Sequence, residues 1–215
     1  MTQNVRVTTP HAPATRRPRL PRSALLPGLL AMAETAFAHE QQGVPAGLAS
    51  GFLHPLTGLD HLAAMVAVGL WGAQLGAPAI WILPITFPLV MAVGGVLGVL
   101  GISLPMPEMV IAVSALVLGG AVAARLRLPF AIAAVVVGVF AIFHGHAHGA
   151  ELPQSANPLA YGVGFVVATG LLHLCGITMG TLSRSPAGAR LIQGIGASIA
   201  VLGCYFLVRN LGCLP

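Results

Sequence analysis

The sequence predicts an all-α, polytopic membrane protein: six transmembrane helices after a cleavable signal peptide, with both ends of the mature chain outside. Three observations predict it. Of 215 residues, 56% are hydrophobic and only 7% charged, where roughly a quarter of a soluble domain would be charged. Apolar windows of about 20 residues, the length that crosses a bilayer, recur along the chain. The arginines that lie between those windows sit in alternate loops.

The chain opens on a targeting pattern. Residues 16–22 read RRPRLPR, an apolar stretch from Ala24 to Ala33 follows, and Ala36-Phe37-Ala38 completes the charged, apolar and A-x-A order of a secretory signal. Ten apolar residues containing Pro27 and Gly28 fall short of the ~20 that span. Cleavage after Ala38 makes 1–38 the signal peptide and 39–215 a single six-helix domain. It also leaves His39 at the new N-terminus beside Glu40, either a weak transition-metal chelate or a stub without a role.

Six spans follow, near 54–76, 79–100, 107–124, 128–148, 157–182 and 189–211. Gly94 with Gly98 and Gly176 with Gly180 have the four-residue spacing that lets helices approach closely. Arg125 and Arg127 lie between the third and fourth spans, and Arg184 and Arg190 between the fifth and sixth. By the positive-inside rule those loops are cytoplasmic, and counting back puts the mature N-terminus outside. Arg209, near the C-terminus, snorkels to the outer interface.

Composition also excludes functions. All ten basic residues are Arg, so the chain has no Lys for a Walker A loop or a Schiff base, and no nucleotide partner is expected. Five of the ten precede residue 23 and the rest are scattered, which leaves no basic face for nucleic acid. Cys175, Cys204 and Cys213 form no CxxC, and free thiols are expected.

Two clusters carry chemistry. The first span opens on His54-Pro55-Leu56-Thr57-Gly58-Leu59-Asp60-His61, with Met65 one turn beyond His61. A carboxylate in a membrane segment faces the bundle interior and marks function, and Asp60, His61 and Met65 offer oxygen, nitrogen and thioether ligands, although Met65 by itself reads more readily as core filler. The fourth span ends on Phe143-His144-Gly145-His146-Ala147-His148-Gly149-Ala150-Glu151, three His and a carboxylate in eight residues. At helical spacing His144 and His148 share a face that Glu151 continues, while His146 points elsewhere, as a rim ligand. In a six-span count both clusters lie at the outer face and can meet. His173, in Leu172-His173-Leu174-Cys175-Gly176-Ile177, lies roughly 20 Å below its helix's outer end. It is a relay ligand toward the cytoplasm, with Cys175 or Thr169, or an interhelical hydrogen bond.

These three blocks resemble the signatures of the HupE/UreJ family of nickel and cobalt permeases, over nearly the whole mature chain. The family's H-x5-D-H motif falls on His54, Asp60 and His61, and its F-H-G-x-A-H-G-x-E motif on Phe143, His144, His148 and Glu151, with His146 at a variable place. The resemblance implies six-helix uptake of nickel or cobalt across the bacterial inner membrane, supplying hydrogenase, urease or cobalamin synthesis. The metal is then a transported substrate and no resident cofactor is expected. Imidazole and carboxylate ligands suit nickel, cobalt and zinc, and the lack of a thiolate cluster argues against Cu(I) or a closed structural zinc site. The alternative is a membrane-embedded zinc metallohydrolase built on His61, His144 and His148, although the chain has no HExxH motif. The lipid bilayer is an expected partner, and a homo-oligomer is compatible with the sequence.

Overall fold

The computed structural model describes residues 44–152 and 156–213; the predicted signal segment 1–38 and His39 lie outside them. The chain there forms helices α1 (Val44–Thr57), α2 (Leu59–Leu75), α3 (Ala79–Val99), α4 (Pro107–Ala123), α5 (Phe130–Ala150), α6 (Pro158–Gly180) and α7 (Pro186–Asn210), with a 3-10 turn at Thr181–Arg184. Their limits follow from local chemistry. Pro107, Pro158 and Pro186 occupy first turns, where a missing N–H costs nothing. Asn157 Oδ1 accepts from Ala160 N–H at 3.0 Å and Ser185 Oγ from Gly188 N–H at 3.1 Å, capping α6 and α7. Gly76 (φ 79°) and Gly101 (φ 71°) turn the chain after α2 and α3 in a conformation that glycine adopts without penalty.

Four helices, α3, α5, α7 and α6 extended through its 3-10 turn, are long and apolar enough to cross a membrane. The apolar α4 has 17 residues. Five of the predicted spans coincide with α3 to α7. The first, predicted as 54–76, does not form one helix: α1 begins at Val44 and α2 departs from it at 82°. Pro55 lacks an N–H for the Gly51 carbonyl, Thr57 Oγ1 donates back to the His54 carbonyl at 2.9 Å, and Gly58 is extended (φ −85°, ψ 109°). The break therefore falls between His54 and Asp60.

α2 sits at the centre and packs against every other described helix. Met65, on the same face as His61 and read by itself as core filler rather than a thioether ligand, is fully buried in the apolar core with Leu70, Trp71 and Phe87. Around α2, α3 pairs with α5, α4 with α7, and α1 with α6. The α3–α5 pair is in backbone contact: a Cβ on Gly145 or Gly149 would run into the carbonyls of Met91 or Gly95, and one on Gly94 or Gly98 into those of Ile142 or His146. Cys175, Cys204 and Cys213 are free thiols.

The two ends of the bundle differ in charge. At one end Trp71 Nε1 donates to the Leu126 carbonyl (2.9 Å), Gln74 Nε2 to Val122 (3.1 Å) and Gln193 Nε2 to Ala123 (3.0 Å). These bonds gather the end of α2, the end of α4 and the start of α7, together with Arg125, Arg127, Arg184 and Arg190. At the other end Asn210 Nδ2 donates to the Glu108 carbonyl (3.2 Å), joining the end of α7 to the start of α4. Asp60, Glu108 and Glu151, all the acids among the described residues, belong to this second end, with Arg209.

Candidate metal centre

The acidic end of the bundle holds the two histidine clusters together. Asp60 lies in the first turn of α2, where a carboxylate complements the helix dipole. Its Oδ1 accepts from the backbone N–H of His61 at 2.9 Å and from His61 Nδ1–H at 2.8 Å. That bond places the imidazole proton on Nδ1 and leaves Nε2, which is buried without a hydrogen-bond partner, as a lone-pair donor. The same arrangement recurs at His144, where Nδ1–H donates to the Phe140 carbonyl at 2.8 Å and Nε2 is buried and unpartnered. A backbone carbonyl or carboxylate on the far nitrogen is the usual way a metal-ligating histidine is oriented.

His148 is the hub. Its ring lies 4.7 Å from that of His54, 4.4 Å from His61 and 4.3 Å from Phe165, and neither of its buried nitrogens has a partner. His61 in turn lies 5.2 Å from His144. At the mouth, His54 Nε2 and Glu151 Oε2 are 3.8 Å apart, and ligand atoms of His54, His148 and Glu151 all lie within 4.8 Å of one another. Two ligands bound at ~2.1 Å to one divalent ion are at most ~4.2 Å apart. The His54–Glu151 pair already satisfies this, and the trio does so after side-chain shifts of a few tenths of an ångström. Exposure falls steadily inward: the Glu151 side chain is 56% exposed and His54 36%, while His148 and His144 are 4% and 0%.

The local sequence explains why α5 can do this. His144 and His148, one turn apart, face α1 and α2, while Gly145 and Gly149 form the adjacent stripe against α3. Glycine brings the helices together, and histidine fills the space left on the other side. His146 belongs to neither stripe. Weighed as a rim ligand, it is 7% exposed, with Nε2–H donating to the Ile102 carbonyl at 2.7 Å and Nδ1 buried without a partner. Two residues from His144 it has turned ~200° around the helix, and there it braces the loop after α3.

His173 lies deeper on α6. Its Nδ1–H donates to the Pro84 carbonyl at 3.1 Å, an oxygen left free because Pro88 has no N–H to offer it. The interhelical bond weighed at the sequence level is therefore present. His173 is separated from His144 by Phe87, whose ring lies 5.3 Å from one imidazole and 5.4 Å from the other. Cys175 turns away and is exposed beside Met179. Glu108, not considered from sequence, is within Coulombic reach of Asp60, His61 and Glu151. The signal was available, since in a six-span count the start of the third span lies on the same side as the start of the first.

The family model described as HupE / UreJ protein matches residues 27–206. Protein HupE of Rhizobium leguminosarum bv. viciae is 46% identical over 181 residues, covering 84% of this chain and 95% of that protein. No solved structure matches. With the two histidine motifs converging at one end of the bundle and the match running through nearly every described helix, the chain belongs to the HupE/UreJ family of nickel and cobalt permeases.

Proposed function

We propose that the protein carries nickel or cobalt ions across the bacterial inner membrane into the cytoplasm, binding them at the outer face through His54, His61, His144, His148 and Glu151, with the Asp60 carboxylate behind His61. One observation carries this reading. Two motifs some ninety residues apart in sequence meet in a cluster of imidazoles whose buried nitrogens lack protein partners, beside carboxylates, at the end of the bundle opposite Arg125, Arg127, Arg184 and Arg190. Such nitrogens are costly to bury unless a ligand satisfies them, and imidazole with carboxylate suits divalent ions of borderline softness. The arginine distribution favours placing the cluster outside.

The broken helix supports the same reading. Irregular backbone is tolerated in a bilayer where it lines a cavity, and discontinuous helices carry the sites of many transporters. Here the break lies among the ligands, between His54 and Asp60. Counting α1 and α2 as one broken span gives six crossings, with α4 rising ~26 Å, close to the thickness of a thin bilayer. The chain acts as a facilitator or secondary transporter. A divalent ion entering down a potential of 100 mV, inside negative, gains about 4.6 kcal/mol, enough to drive accumulation.

Sealed proteoliposomes containing the full chain test this directly. Labelled nickel or cobalt accumulates without nucleotide, faster with an inside-negative potential, and zinc at matched free concentration reports selectivity. Uptake no greater than in empty vesicles for all three ions refutes the proposal.

A further inference from the structure

Among the described residues, the buried polar side-chain atoms without hydrogen-bond partners lie mostly on a file of neighbouring rings. Apart from Gln74 Oε1 and His146 Nδ1, they are Tyr161 OH, both nitrogens of His148, His61 Nε2, His144 Nε2, Thr169 Oγ1 and His173 Nε2. The file begins at the mouth, where the Tyr161 ring lies 5.9 Å from His54, and continues past Phe87 to His173. Thr169 and His173, one turn apart on the buried face of α6, are 0% and 1% exposed.

The bond to the Pro84 carbonyl accounts for His173 Nδ1 but not for its other nitrogen. Thr169 is unusual in the same way. Helical hydroxyls commonly donate to a carbonyl one turn back, as Ser114, Thr178 and Ser198 do here. Thr169 does not, although no solvent reaches it. Two polar groups one turn apart on α6 thus keep their lone pairs free at a depth where each is costly.

We propose that His173 Nε2 and Thr169 Oγ1 form a second, inner station for the divalent ion, reached from His144 past the ring of Phe87. The proposal rests on the transport reading above and adds an ordered step to it. Phe87, fully buried between the two imidazoles, presents no ligand atom, so the ion passes from one station to the other without being bridged by both. A two-ligand inner station holds the ion weakly, as passage requires. The imidazole proton stays on Nδ1, in its bond to Pro84, and the Nε2 lone pair faces the ion.

The test uses the full chain in nanodiscs for cobalt binding, read by the d–d absorption of Co(II), and in proteoliposomes for nickel uptake. His173→Asn retains an amide N–H where Nδ1 lies, so it keeps the bond to Pro84 while removing Nε2; His173→Gln does the reverse. The expected result is that His173→Asn reaches the membrane, binds cobalt at the outer cluster like the wild type, and takes up nickel at least about tenfold more slowly. His173→Gln, which places an amide oxygen near the lost nitrogen, recovers part of the rate. Wild-type uptake by His173→Asn overturns the inner station and leaves the transport reading intact. If His173→Asn fails to accumulate in the membrane, Thr169→Val decides: uptake reduced several-fold supports the station, and unchanged uptake overturns it. A wild-type protein that neither binds cobalt nor takes up nickel removes the transport reading itself.

Discussion

Asp60→Asn isolates charge from geometry at the histidine cluster. Asn keeps the size of the side chain and a carbonyl oxygen, so the bonds from His61 N–H (2.9 Å) and Nδ1–H (2.8 Å) persist. What disappears is a negative charge acting through the imidazole on an ion at Nε2, some ~7 Å away with a metal–nitrogen bond of ~2.1 Å. At an effective dielectric of about 20, a unit charge at that distance attracts a divalent ion by about 5 kcal/mol. This is a ceiling, because the Asp60 side chain is 18% exposed and the mouth admits water that screens it. Replacing the carboxylate behind a ligating histidine typically costs 10–100-fold, about 1.4–2.7 kcal/mol. The apparent affinity for nickel in proteoliposome uptake is therefore expected to fall about 10–100-fold, with protein abundance unchanged. Uptake with a wild-type concentration dependence would mean that Asp60 does not act on the ion, and the assignment of the cluster would fall with it.

The remaining predictions separate ligand from scaffold. His148→Ala removes the ring that touches both His54 and His61 and is expected to reduce uptake to background. His146→Ala, outside the cluster, leaves uptake near wild type but lowers unfolding stability in detergent by about 1–3 kcal/mol, since the Ile102 carbonyl loses its donor. Equal transport losses in the two variants would contradict the geometry. Gly145→Val forces a side chain into the Met91 carbonyl and should cost about 1–3 kcal/mol or more, seen as reduced membrane abundance. Because a protonated imidazole cannot ligate, uptake should decline as the outside is acidified, and a rate unchanged from about pH 8 to about pH 4 would argue against histidine ligands.

How much of this was legible in the sequence depends on how local each feature is. The helices at five of the predicted spans and the close approach at Gly94 and Gly98 arise from length, composition or short-range spacing. The two histidine-rich motifs were legible for the same reason, because scarce polar residues stand out in an apolar chain. Their meeting followed from counting spans, which constrains which helix ends share a side but not which side chains touch. Tertiary structure alone decided the rest. The α2 helix could leave α1 at 82° because Pro55 and Gly58 weaken the local backbone, yet the packing of α6 against both sets its direction. His144, His146 and His148 are alike in sequence, but the bundle offers them different neighbours: a free lone pair beside His61, a carbonyl of the α3 loop, and the centre of the cluster. His173 found its partner in a carbonyl left open by a proline on another helix. A residue type determines which bonds it can make; only the packed bundle determines which are within reach.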